Sequence, residues 1–409
     1  MNVKRHPREL LGDEKGMVLV LGLLLVSVLS LVGTTAVMTS TTDMKINSNY
    51  KTGAQAYYIA EAGIERARAK LPTESGTLSE LLSARRGANN QLSDSASIAN
   101  FFADGAFVTD DVPYLAETSF GGGTYRVYLT NAASLSGVSP VETATSTTDN
   151  DYRVTLTSFG RGPNNSLAVV QVIVKKIVLP PLPGAITLPG PNVAFQGPTA
   201  SSADVHGEAK LAIALTSDAA QTTVVNHLNS IGRLANYECS TAPCIDNVAA
   251  TINPILNSVE GIEGLYRELL SVAHVVTGST TLTAEQLGTT SNRKIVVVNG
   301  NATFSGVSGA GVLVVTGELT ISNAAQYNGV IICLGQGTLR RVGGNSGDVQ
   351  GAVVIAKTRD ASNNILAALG NPTYDAANGG NTNLTYQDSA TSLPTGVNQF
   401  VKKSWKQFF

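Results

Sequence analysis

Lys15-Gly16-Met17 sets a small residue between a polar leader and an uncharged run, so a peptidase cutting after Gly16 would remove the leader and leave the run intact. Cys239 and Cys244, in CSTAPC, have a spacing open to a local disulfide or to two free thiols. Metal ligation would need further Cys or His at matched spacing, and the histidines are scattered. Cys333, in GVIICLG, sits between aliphatic neighbours and reads as an inert core residue. Asp149 and Asp151 flank Asn150 without the ligand spacing of an EF-hand loop, so a solvated turn is expected there and no metal is assigned.

Catalytic patterns are sparse. The strand-rich stretch from Ile295 to Lys357 offers Glu318, Asp348, Arg340, Arg341 and Lys357, and no carboxylate pair recurs at its repeat spacing. No G-x-S-x-G elbow stands between a strand and a helix. The expectation is a protein that is not an enzyme and carries no cofactor. With 28 Lys and Arg against 30 Asp and Glu, the chain has a net charge of −2 and lacks the basic footprint that nucleic acid requires.

The element that must position Gly16 is a helix. From Met17 to Thr42 there is no charge and no proline, and 13 of the 21 residues from Met17 to Val37 are Leu or Val. Such a run crosses a hydrocarbon core of about 30 Å, and its Leu and Val residues together favour insertion by several kcal/mol, about 0.3–0.6 each. Beyond Asp43, the residues Ile46, Tyr50, Gly53, Tyr57, Ala60, Ile64, Ala67 and Leu71 recur at steps of four and three, one helical stripe. Lys45, Asn49, Lys51 and Arg66 take the other face, and Pro72 stops the ladder. Residues 17–71 therefore predict one helix about 80 Å long at 1.5 Å per residue. Its first part, 17–37, is the membrane span, and its second part needs a partner surface.

Gly16 before Met17, the uncharged run, and QAYYIAEAGIERARAKL from Gln55 to Leu71 resemble the prepilin leader and N-terminal helix of type IV pilins, and within them the PilX-type minor pilins. The resemblance covers roughly the first 71 residues. It implies that 1–16 is a leader, that a prepilin peptidase cuts between Gly16 and Met17, and that the new amino terminus is methylated. It implies partners among other pilins and pilus-assembly proteins. The protein would sit in the inner membrane as a single-pass protein before assembly, its C-terminal domains extracytoplasmic, and in the pilus or at the cell surface afterwards. In major pilins a glutamate usually stands fifth after the cut; here that position is Leu21. Outside the cytoplasm thiols oxidise, so a local disulfide becomes the leading reading for Cys239 and Cys244.

The remainder predicts an α+β protein. Residues 72–179 form a pilin-like head, with a variable connection over 72–115 and strands at Thr124–Asn131, Asp151–Gly162 and Ser166–Leu179 that fold antiparallel over the stripe from Ile46 to Leu71. Pro180, Pro181, Pro183, Pro189 and Pro191 make 180–192 a semi-rigid linker. A mainly β domain follows over 193–358, with strands sketched from Ala185 to Leu215 and a helical insertion at 222–276. Its aliphatic runs begin at Ile295, Val312, Val330 and Val353, each followed by Gly, Asn or Ser, which suggests coils of a parallel β-solenoid; an antiparallel sandwich is the competing reading. The tail 359–409 ends in FVKKSWKQFF and is expected to dock on the β domain. Three functions fit: a minor pilin at the tip or in initiation, an adhesive subunit delivering the β domain to a surface or glycan ligand, or a membrane-anchored carbohydrate-active β-helix enzyme. A pseudopilin of type II secretion is a variant of the first.

Overall fold

The computed structural model describes residues 14–88, 95–104, 110–133, 141–343, 347–380, 382–394 and 400–408. Residues 1–13 of the expected leader 1–16 lie outside the described residues. The architecture is α+β. One helix, α1 (Glu14–Lys70), runs unbroken through the apolar and amphipathic parts and ends where Pro72 enters a 3₁₀ turn, Leu71–Thr73.

Four strands, β1 (Leu115–Phe120), β2 (Gly123–Asn131), β3 (Arg153–Arg161) and β4 (Leu167–Lys176), follow one another as antiparallel neighbours. Gly121 and Gly122 close the first hairpin with φ of 59° and 81°, the two positive values a two-residue primed turn demands. The sheet packs on the end of α1, burying Ile59, Ala60, Ile64, Ala67 and Leu71 against Val127, Leu156 and Val172. Helix and sheet approach closely because small residues face each other: a Cβ on Gly160 would lie 2.5 Å from the Ala56 carbonyl oxygen. The stripe is covered only from Ala56 onward, whereas Ile46 and Tyr50 are 61% and 79% exposed. The sheet ends at the turn where the Ser166 hydroxyl donates to the Thr52 carbonyl, 2.9 Å away, and reaches no higher.

Apart from the short antiparallel pairing of Gly288–Thr289 with Asn292–Arg293, the strands of the second unit pair in parallel, so an antiparallel sandwich is excluded. Ile295, Val312, Val330 and Ala352 stand in register on successive neighbours of one sheet, the last a single residue from the Val353 named above. A second parallel sheet stacks Ala302, Leu319, Leu339, Tyr374 and Phe195 in the same way. Helices Asp218–Ser230 and Val259–Leu270 contribute Val224, Leu228, Ile262 and Leu269 to the same core. Covered from both sides, the strands need no polar alternation, which is why their sequence is a continuous aliphatic run.

Three boundaries differ from those read in the sequence. Gly184–Leu188, inside the expected linker 180–192 and holding the strand start sketched at Ala185, is a fully buried strand between Leu211–Leu215 and Gly347–Ile355. Its five residues lie between Pro183 and Pro189, so every one of them keeps an N–H for the ladder. The β unit also does not end at 358, because Thr373–Asn378 and Thr382–Tyr386 belong to its sheets. Finally, the tail does not dock on the β unit. Phe400–Phe408 returns to the head and pairs antiparallel with the free edge of β4, Phe400 opposite Lys176 and Trp405 opposite Val172. Phe400 enters the head core, and Trp405 meets Tyr57 of α1 edge to face at 5.9 Å. Across the junction, the Lys175 ammonium lies 2.7 Å and that of Lys403 3.5 Å from the Glu268 carboxylate of the second helix.

Candidate functional site

Among the described residues, the N-terminal half of α1 is exposed on every side. Met17, Leu19, Leu21 and Leu31 are each 67–73% exposed, and this is the one helix among the described residues long and apolar enough to cross a membrane, with a mean hydropathy of 2.6 in its most apolar window. Its hydroxyl-bearing residues do not spoil that character. Ser27, Thr34, Thr39 and Thr42 donate to carbonyls three or four residues back at 2.8–2.9 Å, hiding polar atoms that lipid could not satisfy. Gly16 and Met17 fall in the first turn of α1, where backbone N–H groups have no intrahelical acceptor and where glycine weakens the helix further. A protease that needs an extended substrate meets the least resistance at that end.

Sequence reasoning missed a buried acidic cluster in the head. Glu142, only 3% exposed, brings a carboxylate oxygen within 4.8 Å of those of Asp149 and Asp151. The solvated turn expected around Asp149 is therefore half-buried. Glu142 accepts from the Asn150 amide, and Asp149 accepts from the Arg153 amide at 3.1 Å. The Arg153 guanidinium stands 3.6 Å from Asp151. Such an oxygen set is of the kind hard cations use. The seven-residue separation of Glu142 from Asp149 carries no motif, so only the folded loop reveals the cluster.

Burial, together with repulsion from Glu142 and Asp151, pushes the Asp149 carboxyl up to about 6, against the lowering effect of the backbone amides of Arg153 and Tyr152. Between about pH 4 and that value the folded state holds a proton the unfolded chain has released, so this group's stabilisation is lost as pH rises through the window. Asp149→Asn retains an acceptor for Arg153 and is expected to stabilise the head at pH 7 by about 1 kcal/mol, half or less of the full linkage value because the site is partly open to water. Thermal melts at pH 7 and pH 4 check this: the gain should vanish at the lower pH, and an equal gain at both would show the repulsion to be unimportant.

The charges of the β unit pair locally. Glu318 and Asp375 flank Arg340 at 3.7 and 3.4 Å on neighbouring strands, and the buried Arg341 donates to the Gly347 carbonyl at 2.8 Å. Asp348 stands apart from these, half-buried on the strand Gly347–Ile355. Cys239 and Cys244 are bonded to each other, and Cys333 is fully buried with its thiol pushed up by desolvation.

No curated protein matches this chain. Among solved structures it is similar to the competence-associated pilin ComZ from Thermus thermophilus, at 12% identity and a TM-score of 0.25, over 87% of this chain and 97% of that one. Residues 15–65, the segment holding Gly16, Met17, Leu21 and the exposed length of α1, match the family model described as PilX N-terminal.

Proposed function

We propose that this chain is a minor pilin-like subunit of a type IV pilus or related filament, held in the inner membrane by residues 17–37 and assembled with other pilins through α1. The observation that carries this reading is a match of residues 15–65 to the PilX N-terminal model in a segment whose apolar surface is left exposed by the described residues. An exposed helix of that length is stable only in lipid or against other helices. The subunit sits at the tip or acts in initiation. Leu21 stands where a repeating subunit carries the glutamate that pairs with its neighbour's amino terminus, and the stacked parallel strands, which we read as a β-solenoid, are too bulky to tile a thin shaft. There the β unit meets a surface or glycan ligand.

The test is the protein's place and abundance in sheared filaments. A few copies per filament, labelled by immunogold at one end, are expected; labelling along the shaft at near-stoichiometric level would overturn the tip position, and absence from filaments would overturn the pilin reading.

Prepilin peptidase cuts between Gly16 and Met17 and the new terminus is methylated. Intact-mass measurement of membrane-extracted protein should give a chain beginning at methylated Met17, and Gly16→Ala should slow processing with the exported units folded. A mature chain starting beyond Val37 would point to ordinary signal cleavage instead.

The same extracytoplasmic placement keeps Cys239–Cys244 oxidised, and its short loop places the stabilisation at the modest end, about 2 kcal/mol. Thiol labelling without reductant should find Cys333 alone, and only after denaturation; three reactive thiols would refute it.

A further inference from the structure

We propose that the C-terminal strand Phe400–Phe408 is a strap, held shut by Glu268, that docks on the head only while the β unit is folded. The edge of β4 is then covered in finished subunits and open in unfinished ones. This device goes beyond the pilin reading and does not depend on filament entry. The β unit is inserted between two neighbouring strands of the head: the chain leaves at Lys176 and returns at Phe400, which stand opposite each other. Both arms run out of one core, Leu182 on the outgoing side and Leu393 on the returning side being buried in it. Folding of the β unit therefore replaces a loop of more than two hundred residues by two arms of about a dozen together, which favours docking by roughly seventyfold.

The strap needs that help. From Lys402 to Lys406 every residue is exposed, and Phe400 is the one buried residue of the strand. A strand with so little apolar burial opens readily when its tether lengthens. Its first two residues straddle the junction, Phe400 entering the head core and Val401 packing against the core of the β unit. Unfolding of the β unit removes that second contact together with the short tether.

The ladder to β4 slips by one residue between Lys402 and Ser404, which makes Lys403 the extra residue of a bulge, and bulges re-aim side chains. The Lys403 ammonium lies 3.5 Å from Glu268 of the helix Val259–Leu270, the carboxylate that Lys175 of β4 reaches at 2.7 Å. One acidic group of the β unit thereby holds a cation from each of the two head strands. Farther along, Trp405 meets Tyr57, so closure of the strap also covers part of α1. With the strap released, β4, whose sequence is LAVVQVIVKK, presents an unpaired aliphatic edge of the kind that captures other chains.

Trp405 is the only tryptophan, so its fluorescence reads the strap alone. The experiment combines acrylamide quenching of Trp405 with hydrogen exchange of the full chain in detergent, read by peptide mass. In Glu268→Gln, peptides over 400–408 should exchange about threefold faster or more and Trp405 should be quenched more strongly, with β2, β3 and the β unit unchanged. Salt at about 0.5 M should speed exchange of the strap in the unaltered chain and leave Glu268→Gln where it is. In Gly329→Ala, a substitution aimed at the folding of the β unit, 400–408 should lose protection while β2 and β3 keep theirs. Glu268→Gln keeps the test decisive should Gly329→Ala yield no soluble chain. An unchanged strap in Glu268→Gln, an equal salt response in both chains, a strap still protected beside an exchanging β unit, or a head that opens together with the β unit as one piece would overturn the proposal.

Discussion

Gly329→Ala is expected to prevent the β unit from folding. Gly311, Gly329 and Gly351 stand in register on adjacent strands with φ of 127°, 154° and 140°, a conformation that a side chain resists, repeated from strand to strand. A Cβ on Gly329 would lie 1.9 Å from the Gly311 carbonyl oxygen, and one on Gly351 the same distance from that of Gly329. The colliding atoms are backbone, so no rotamer change relieves them, and separating the strands would break the ladder on both sides. The expected loss is about 4 kcal/mol or more, beyond the range of ordinary substitutions. Gly264→Ala is the matched control. It lies inside the helix Val259–Leu270 with nothing within 4 Å of a built Cβ, and should stabilise by about 0.5–1 kcal/mol. Thermal melts and limited proteolysis of both variants decide the matter. A Gly329→Ala protein melting within a few degrees of the unaltered chain would show that the glycine ladder is not what holds the strands in register.

Glu263→Ala should be the other severe change. Glu263 is 3% exposed and takes both arms of Arg359, Nε at 2.8 Å and Nη2 at 2.7 Å, with the Thr358 hydroxyl at 2.6 Å. This ties the helix Val259–Leu270 to the loop after the strand Gly347–Ile355. Truncation leaves the Arg359 guanidinium, itself only 14% exposed, without its counter-charge, at about 3–5 kcal/mol. Burial alone would raise the Glu263 carboxyl, but the hydrogen bonds from Arg359 and Thr358 outweigh it and hold the group below its ordinary value. A lowered acid contributes stability that is complete above the unfolded pKa of about 4.3 and is lost as pH falls through the folded one. Denaturant midpoints should therefore separate the unaltered and Glu263→Ala chains widely at pH 7 and progressively less below about pH 4. A separation that stays constant across that range would assign the loss to packing and not to the ion pair.

The features legible in the sequence are those whose cause is local. A run of 26 residues without charge from Met17 to Thr42, a stripe at steps of three and four, and Pro72 specify α1 through neighbours in the chain. The aliphatic runs at Ile295, Val312 and Val330 likewise announce strands, and they stand in register on parallel neighbours. Tertiary structure alone decided the rest. Whether Phe400–Phe408 joins the β unit or the head depends on which strand edge is free, and β4, more than two hundred residues earlier, supplies that edge. Pairing at such separation leaves no trace in local periodicity, because the entropy of closing the loop is met by contacts that exist only once both partners have formed. Glu142 reached Asp149 and Asp151 through a loop with no spacing rule, and Gly184–Leu188 became a central strand because the strands Leu211–Leu215 and Gly347–Ile355 flank it on both sides. Composition marked the first as a turn and set a linker boundary across the second, whose strand start at Ala185 was legible; burial against distant residues, which composition does not encode, made them an acidic cluster and part of a core.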